Sequence, residues 1–339
     1  NKYIIAVGPG EDRCLDETQN FKIVVLDSAN YFIWEQILLP RLVKRSKADI
    51  LHCTSNTAPL KTKVPLVLTL HDIIFMERKI GRNTSTYQNL GRVYRRWVVP
   101  KVLKMVRTVV TVSNFEKMNI LKAFPNLEKN IVTVYNGVSP RFRPLVVFSN
   151  DRFKQMEKGT YWLLLGNTDP KKNLRNALMA YAYYLRKSKV KKKLLLADLD
   201  EEHLESLLQE FNLYDLREYI FIEEYIAHDL LVQVYNKAFG FLYPSIRESF
   251  GLPLLEAMAS GTPVVASNTS AIPEVAGDNV LYIDPNSIES IGTGMLMLEN
   301  DKILYDTLVL KGMARSKCFD WNKTAAQTLD IYEKIYLSI

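Results

Sequence analysis

Short apolar runs rich in β-branched and aromatic residues alternate with longer segments of helical period along this chain. Strand-like runs fall at Tyr3–Val7, Lys22–Leu26, Ile50–His52, Leu66–Leu70, Thr108–Val112 and Ile131–Tyr135. A turn-rich stretch with Pro140, Pro144 and the Asn136-Gly137 pair interrupts them. The alternation then resumes at Tyr161–Leu165, Lys193–Ala197, Tyr219–Ile222, Gly240–Tyr243, Pro263–Ala266 and Leu281–Ile283. Continuous apolar strands separated by helices predict parallel sheets buried on both faces, an α/β fold. The interruption near residues 136–158 marks a boundary between two domains, 1–148 and 149–318. A length of 339 residues suits two cores rather than one.

Helix punctuation supports this reading. Ser113-Asn-Phe-Glu116 reads as a capping box that opens a helix behind a strand. Pro253 fits the first turn of a helix through Leu254, Leu255, Ala257 and Met258, with Gly261 as its stop. Residues 319–339 read as a final amphipathic helix, with Ala326, Leu329, Ile331, Tyr332 and Ile335 on its apolar side.

The charge is uneven. The net charge is +7, and Glu77 to Arg107 alone holds nine basic residues and one acid. Mixed with Tyr87, Tyr94 and Trp97, that segment suits an anionic membrane surface or a polyprenyl phosphate. No zinc-finger spacing or RNA-binding motif is present, so nucleic acid is not an expected partner. No run approaches the ~18 apolar residues of a membrane helix. Cys14, Cys53 and Cys318 are scattered and odd in number, which fits a reducing compartment. The expected location is cytoplasmic, peripheral on the inner face of the membrane.

The richest chemistry lies between Tyr243 and Ala266, which reads strand, polar loop, helix, strand. The loop carries Arg247, Glu248, Ser249, Phe250 and Gly251, and Leu252 begins the helix. Unpaired N–H groups at such a helix start bind anions, and a diphosphate fits there. Glu248 and Glu256 flank that point, and carboxylates accept hydrogen bonds from sugar hydroxyls. Both could equally be acids favoured by a helix dipole; the flanking Phe-Gly-Leu-Pro and Ser-Gly-Thr-Pro make that plainer reading the weaker one. Lys172 follows a strand and opens a helix, where an ammonium would face a departing diphosphate. A surface lysine is the plain alternative. His71-Asp72 with His52, His203 and His228 gives no metal-ligand spacing, so neither a metal nor a cofactor is expected.

The 243–266 segment resembles the E-x7-E donor loop of the GT-B glycosyltransferases of family 4 (glycosyl transferases group 1), with Glu248 and Glu256 as its two glutamates. Thr69-Leu-His71-Asp72 is similar to that family's His-Asp segment, and Val112-Ser-Asn-Phe and Tyr135-Asn-Gly-Val to its interior landmarks. Leu164-Leu-Gly166-Asn167-Thr-Asp-Pro-Lys171-Lys172 is similar to its phosphate-binding loop, and Asn268 to Val275 to its second donor-side loop. The likeness runs from about Trp34 onward. Asn167 stands where many relatives carry Arg, so Lys171 or Arg247 is expected to supply that charge. The family's first strand and glycine-rich loop are expected to be missing from the numbered chain, with Gly8 and Gly10 a weak substitute.

The resemblance implies two Rossmann-like domains facing a cleft, the last helix crossing back to the first. It implies retaining, metal-independent transfer of a hexose from a UDP- or GDP-sugar to a glycan or lipid-linked hydroxyl. Catalytic roles fall to Glu248, His71 and Lys172. The ribose would lie on Glu256, the diphosphate between Lys172 and Gly251, and the base over Tyr225 and Ile226. A sugar-nucleotide epimerase or a non-catalytic nucleotide-sugar-binding subunit would share these features.

Overall fold

The structure, a computed structural model, describes residues 1–10, 16–77, 86–148 and 156–339, and of residues 86–88 the backbone alone. All twelve apolar runs are strands, with ends within two residues of those expected. They are β1 (Tyr3–Val7), β2 (Phe21–Val25), β3 (Leu51–Cys53), β4 (Leu66–Thr69), β5 (Thr108–Thr111) and β6 (Ile131–Thr133). The later six are β7 (Tyr161–Leu165), β8 (Lys193–Ala197), β9 (Ile220–Glu223), β10 (Gly240–Tyr243), β11 (Val264–Ser267) and β12 (Leu281–Ile283).

Between them lie α1 (Tyr31–Ile33), which runs through a π-helical turn into α2 (Leu39–Ser46), then α3 (Thr86–Val102) and α4 (Asn114–Ala123). The later helices are α5 (Leu174–Lys187), α6 (Glu201–Glu210), α7 (His228–Lys237) and α8 (Leu252–Ala259). They continue with α9 (Ile272–Ala276), α10 (Ile288–Asn300), α11 (Lys302–Ser316) and α12 (Trp321–Tyr336).

Every strand pairing is parallel. The sheets are β1-β2, β3-β4-β5-β6 and β12-β11-β10-β7-β8-β9. Burial on both faces explains why the central strands are apolar without alternation: β10 and β11 are buried at every position. In the six-stranded sheet the chain winds outward from β7 to β9, returns to β10 on the other side of β7, and winds outward again. The carboxyl ends of β7 and β10 therefore flank a topological switch point, where open α/β sheets bind ligands.

The last helix packs on the N-terminal sheet. Ile331 and Ile335 of α12 bury against Val67, Val110 and Val134. Ala326, expected on the apolar side, is exposed instead. The chain reaches α12 past Gly137, where a Cβ would stand 2.3 Å from the Trp321 nitrogen; this close approach, rather than a turn alone, demands glycine. Val138 N–H donates to the Phe319 carbonyl at 3.1 Å and Thr324 Oγ1 to the Tyr135 carbonyl at 2.6 Å. At the other end, Gly8 and Gly10 follow β1 and are exposed. Among the described residues no helix is long and apolar enough to cross a membrane.

Candidate functional site

The loops after β7 and β10 meet at the switch point. Ile246 N–H donates to the Lys171 carbonyl at 2.8 Å, which ties the two loops together. Lys172 ends a single 3₁₀ turn capped by Asp169. Its Nζ lies 2.8 Å from Glu248 Oε1, and the two side chains are 18% and 12% exposed. Glu248 is further fixed through its backbone, whose N–H donates to Ser270 Oγ at 3.0 Å. Below them Tyr243 is fully buried; burial and the neighbouring Glu248 carboxylate raise its pKa well above that of a free tyrosine, so its hydroxyl stays protonated.

Gly251 precedes α8 at φ +107°, a left-handed conformation that favours glycine, and offers no side chain to cap the helix. Among the described residues no side chain caps the leading N–H groups of α8, and the helix start and Lys172 share Tyr243 as a neighbour: a Cβ on Gly251 would stand 3.7 Å from that ring, and Lys172 Nζ lies 5.7 Å from its centre. Glu256 lies one turn in. Tyr235 Oη donates to its Oε2 at 3.3 Å and His228 Nε2 stands 3.7 Å from Oε1. Burial raises the Glu256 pKa, against the opposing pull of His228. Asp198, at the end of β8, is also raised by burial and drawn down by Lys172. The sequence does not mark Tyr243, Tyr235, His228 or Asp198 as candidates, because they reach this point from β10, α7 and the end of β8, far apart along the chain.

The N-terminal half meets this loop at the end of β4. Ser249 Oγ donates to Asp72 Oδ2 at 3.3 Å, which sets the His71 segment against the loop that carries Glu248. His71 Nε2 lies 2.9 Å from the Thr54 carbonyl. A carbonyl only accepts, so Nε2 carries the proton and Nδ1 of the neutral ring is left as an acceptor.

Several expected donor contacts have other occupations. Arg247, expected to supply charge to a diphosphate, is turned to the N-terminal half. It bonds Glu116, stands 3.1 Å from Glu77 Oε1, and lies over the Phe115 ring at 4.9 Å. Glu116 therefore does not close the expected capping box. Ser113 Oγ does accept from Glu116 N–H at 3.1 Å, but the Glu116 carboxylate turns to Arg247. Burial pushes that carboxyl up to about 7. Phe250 and Ile226 are core residues, so their side chains are closed to a ligand, whereas Tyr225 is 69% exposed. Leu252 is half-buried against the same core. Gly166 has a packing reason: a Cβ there would stand 2.8 Å from Leu196 Cδ1. Asn167 Oδ1 accepts from Asp169 N–H at 2.9 Å, and Lys171 pairs with Asp169 at 3.2 Å, so the Asn167 amide oxygen and the Lys171 charge both have partners within their own loop. Glu274 reaches the other half, where Asn114 and Phe115 N–H groups donate to it at 2.6 and 2.8 Å.

The basic segment is also redistributed. Arg78, Lys79 and Arg82 lie outside the described residues. Arg92 and Arg96 donate to main-chain carbonyls between Phe75 and Glu77. Arg95, Lys101 and Lys104 remain exposed, next to the exposed Leu90, Val93 and Trp97. No cluster of three potential metal ligands occurs among the described residues.

Residues 148–313 match the model of the glycosyl transferases group 1 and residues 4–142 that of glycosyltransferase family 4, so the likeness begins well before Trp34. The chain is 30% identical to O-antigen chain mannosyltransferase B of Escherichia coli, over 79% of this chain and 70% of that one. The chain belongs to the group 1 glycosyltransferases. This glycosyltransferase is also 28% identical to O-antigen chain mannosyltransferase RfbU of Salmonella typhimurium, over 77% and 67% of the two chains. Its fold is GT-B. Sucrose-phosphate synthase from Thermosynechococcus elongatus superimposes with a TM-score of 0.72 at 18% identity, covering 99% of this chain and 88% of that one.

Proposed function

We propose that this glycosyltransferase moves a mannosyl residue from a nucleoside-diphosphate sugar to a glycan or lipid-linked hydroxyl in polysaccharide assembly, with retained anomeric configuration. The names of the two mannosyltransferase relatives support the sugar and the pathway class. The observation that carries the reading is the 2.8 Å Lys172–Glu248 pair beside the uncapped start of α8. A diphosphate accepts from the open N–H groups and from Lys172, whose fixed charge offsets the negative charge that develops as the diphosphate leaves. Glu248, released from Lys172, accepts from hydroxyls of the transferred sugar, and His71 Nδ1 does so from the facing side. Glu256 accepts from ribose hydroxyls. The charge supplied by Lys172 makes a metal ion unnecessary. On the retaining route the leaving phosphate oxygen takes the acceptor proton on the face from which it departs.

The test is transfer from GDP-mannose and from UDP-glucose to a mannose-terminated acceptor, with and without a chelator, with the product anomer read by NMR. Wild type gives an α-linked product with one donor and tolerates the chelator, while Glu248→Ala abolishes transfer and leaves nucleotide binding intact. Normal transfer by Glu248→Ala overturns the site.

The exposed α3 face is the proposed contact with an anionic membrane, since Leu90, Val93, Trp97 and Lys101 share one side of the helix at a spacing of three to four residues, with Arg95 round the helix and Lys104 just past its end. Neutralising those three reduces sedimentation with phosphatidylglycerol vesicles; unchanged sedimentation removes the assignment.

A further inference from the structure

Two residues of the donor loop, Arg247 and Ser249, are tied to the N-terminal half. Arg247 bonds Glu116 of α4 and Glu77 beyond β4. Glu248 follows directly, and its carbonyl accepts from Arg247 Nη1 at 3.3 Å. Ser249 accepts from Ser113 Oγ at 2.7 Å through its carbonyl and donates to Asp72 through its hydroxyl. The residues on either side of Glu248 are therefore held from across the domain boundary, Arg247 by its side chain and Ser249 by its carbonyl and hydroxyl, while the Glu248 carboxylate faces Lys172 on the donor side.

The Arg247 side chain is 11% exposed and that of Glu116 is fully buried. Burying such a pair strips both ions of water, and the Coulomb gain roughly repays that cost, so the pair adds little net stability. Its geometry does more than its energy. A planar guanidinium that meets two acids and an aromatic ring has one allowed orientation, which a lysine ammonium on a flexible stem cannot reproduce. The Glu116 carboxylate is also withheld from the helix cap it could have made, and is aimed at Arg247 instead.

We propose that Arg247 is a positioning residue for glycosyl transfer: by bridging Glu116 and Glu77 it sets the loop so that Glu248 stands at the donor sugar only when the two halves are engaged. The inference rests on the role given above to Glu248. Arg247 touches neither sugar nor diphosphate. It acts on turnover by fixing Glu248, and a displacement of about 1 Å at such a group can cost ~10²-fold in rate.

The experiment compares Arg247→Met, Arg247→Lys, Glu116→Gln and Glu248→Ala in the full chain. It measures kcat and donor KM with GDP-mannose and with UDP-glucose, GDP and UDP affinity by calorimetry, and melting temperature. Arg247→Met lowers kcat about 10²-fold and leaves GDP and UDP affinity within ~2-fold. Glu116→Gln shifts kcat the same way to a lesser extent, and Arg247→Lys recovers part of the loss. Three results overturn the proposal. One is normal kcat in both Arg247→Met and Glu116→Gln while Glu248→Ala is dead, which leaves the site reading standing. The second is a fall in nucleotide affinity that matches the fall in kcat, which makes Arg247 a binding residue. The third is normal transfer by Glu248→Ala, which removes the site reading and this proposal together. If Arg247→Met does not fold, Glu116→Gln and Arg247→Lys decide by the same split.

Discussion

Two helices begin at strand ends on opposite sides of the domain boundary, and their tips are treated in opposite ways. At α4 the tip is filled. Ser113 Oγ accepts from Glu116 N–H, and the Glu274 carboxylate takes the N–H groups of Asn114 and Phe115 and the Tyr135 hydroxyl. At α8 the tip begins on Gly251, which has no side chain to offer, and a lysine–glutamate pair lies beside it. Both tips present the positive end of a helix dipole. One has its anion built in, supplied by the other half of the molecule, and so serves to join the halves. The other has no side-chain cap among the described residues, which is why the diphosphate is proposed to lie there. Anion-binding capacity at a helix start is thus a matter of what is withheld as much as of what is present.

The contrast can be broken in three places, taken here from the largest effect down. Lys172→Ala removes the fixed cation at the open tip and should cut turnover by about 10² or more; steady-state rates near wild type would leave α8 without its proposed charge partner. Glu256→Ala removes an acceptor for ribose and should weaken GDP and UDP binding by about tenfold, the ~1.4 kcal/mol scale of one hydrogen bond to a charged group. Calorimetry that finds both affinities unchanged would move the ribose elsewhere. Glu274→Ala unplugs α4 and should lower stability by about 1–2 kcal/mol, seen as a lower denaturant midpoint, with nucleotide affinity unaltered. A loss of nucleotide affinity instead would mean that the filled tip belongs to the donor site and that the two helix starts do not divide the work.

The donor side was the more legible half. Gly251, Pro253 and Glu256 act within one loop and helix, where spacing along the chain fixes spacing in space, so their positions could be read directly. Lys172 and Glu248 are 76 positions apart, yet each follows its own strand, and the common edge of a parallel sheet brings such residues together. The partners of Arg247 are not legible in the sequence: a guanidinium in a loop that suits a phosphate has an obvious use there, and no local pattern shows that it pairs with Glu77 and Glu116. The burial of the Phe250 and Ile226 side chains is hidden for a related reason: a loop or strand-end position does not say which way a side chain turns. Tyr235 and His228 carry no motif at all.

What the chain determines by itself is the succession of strands and helices and the chemistry offered at their ends, since apolar periodicity, caps and glycines act over a few neighbouring residues. Tertiary structure alone decides which helix tip is plugged, where Arg247 spends its charge, and which face of α12 is buried. Those outcomes depend on the approach of groups more than a hundred residues apart, and only packing of the two halves sets that distance.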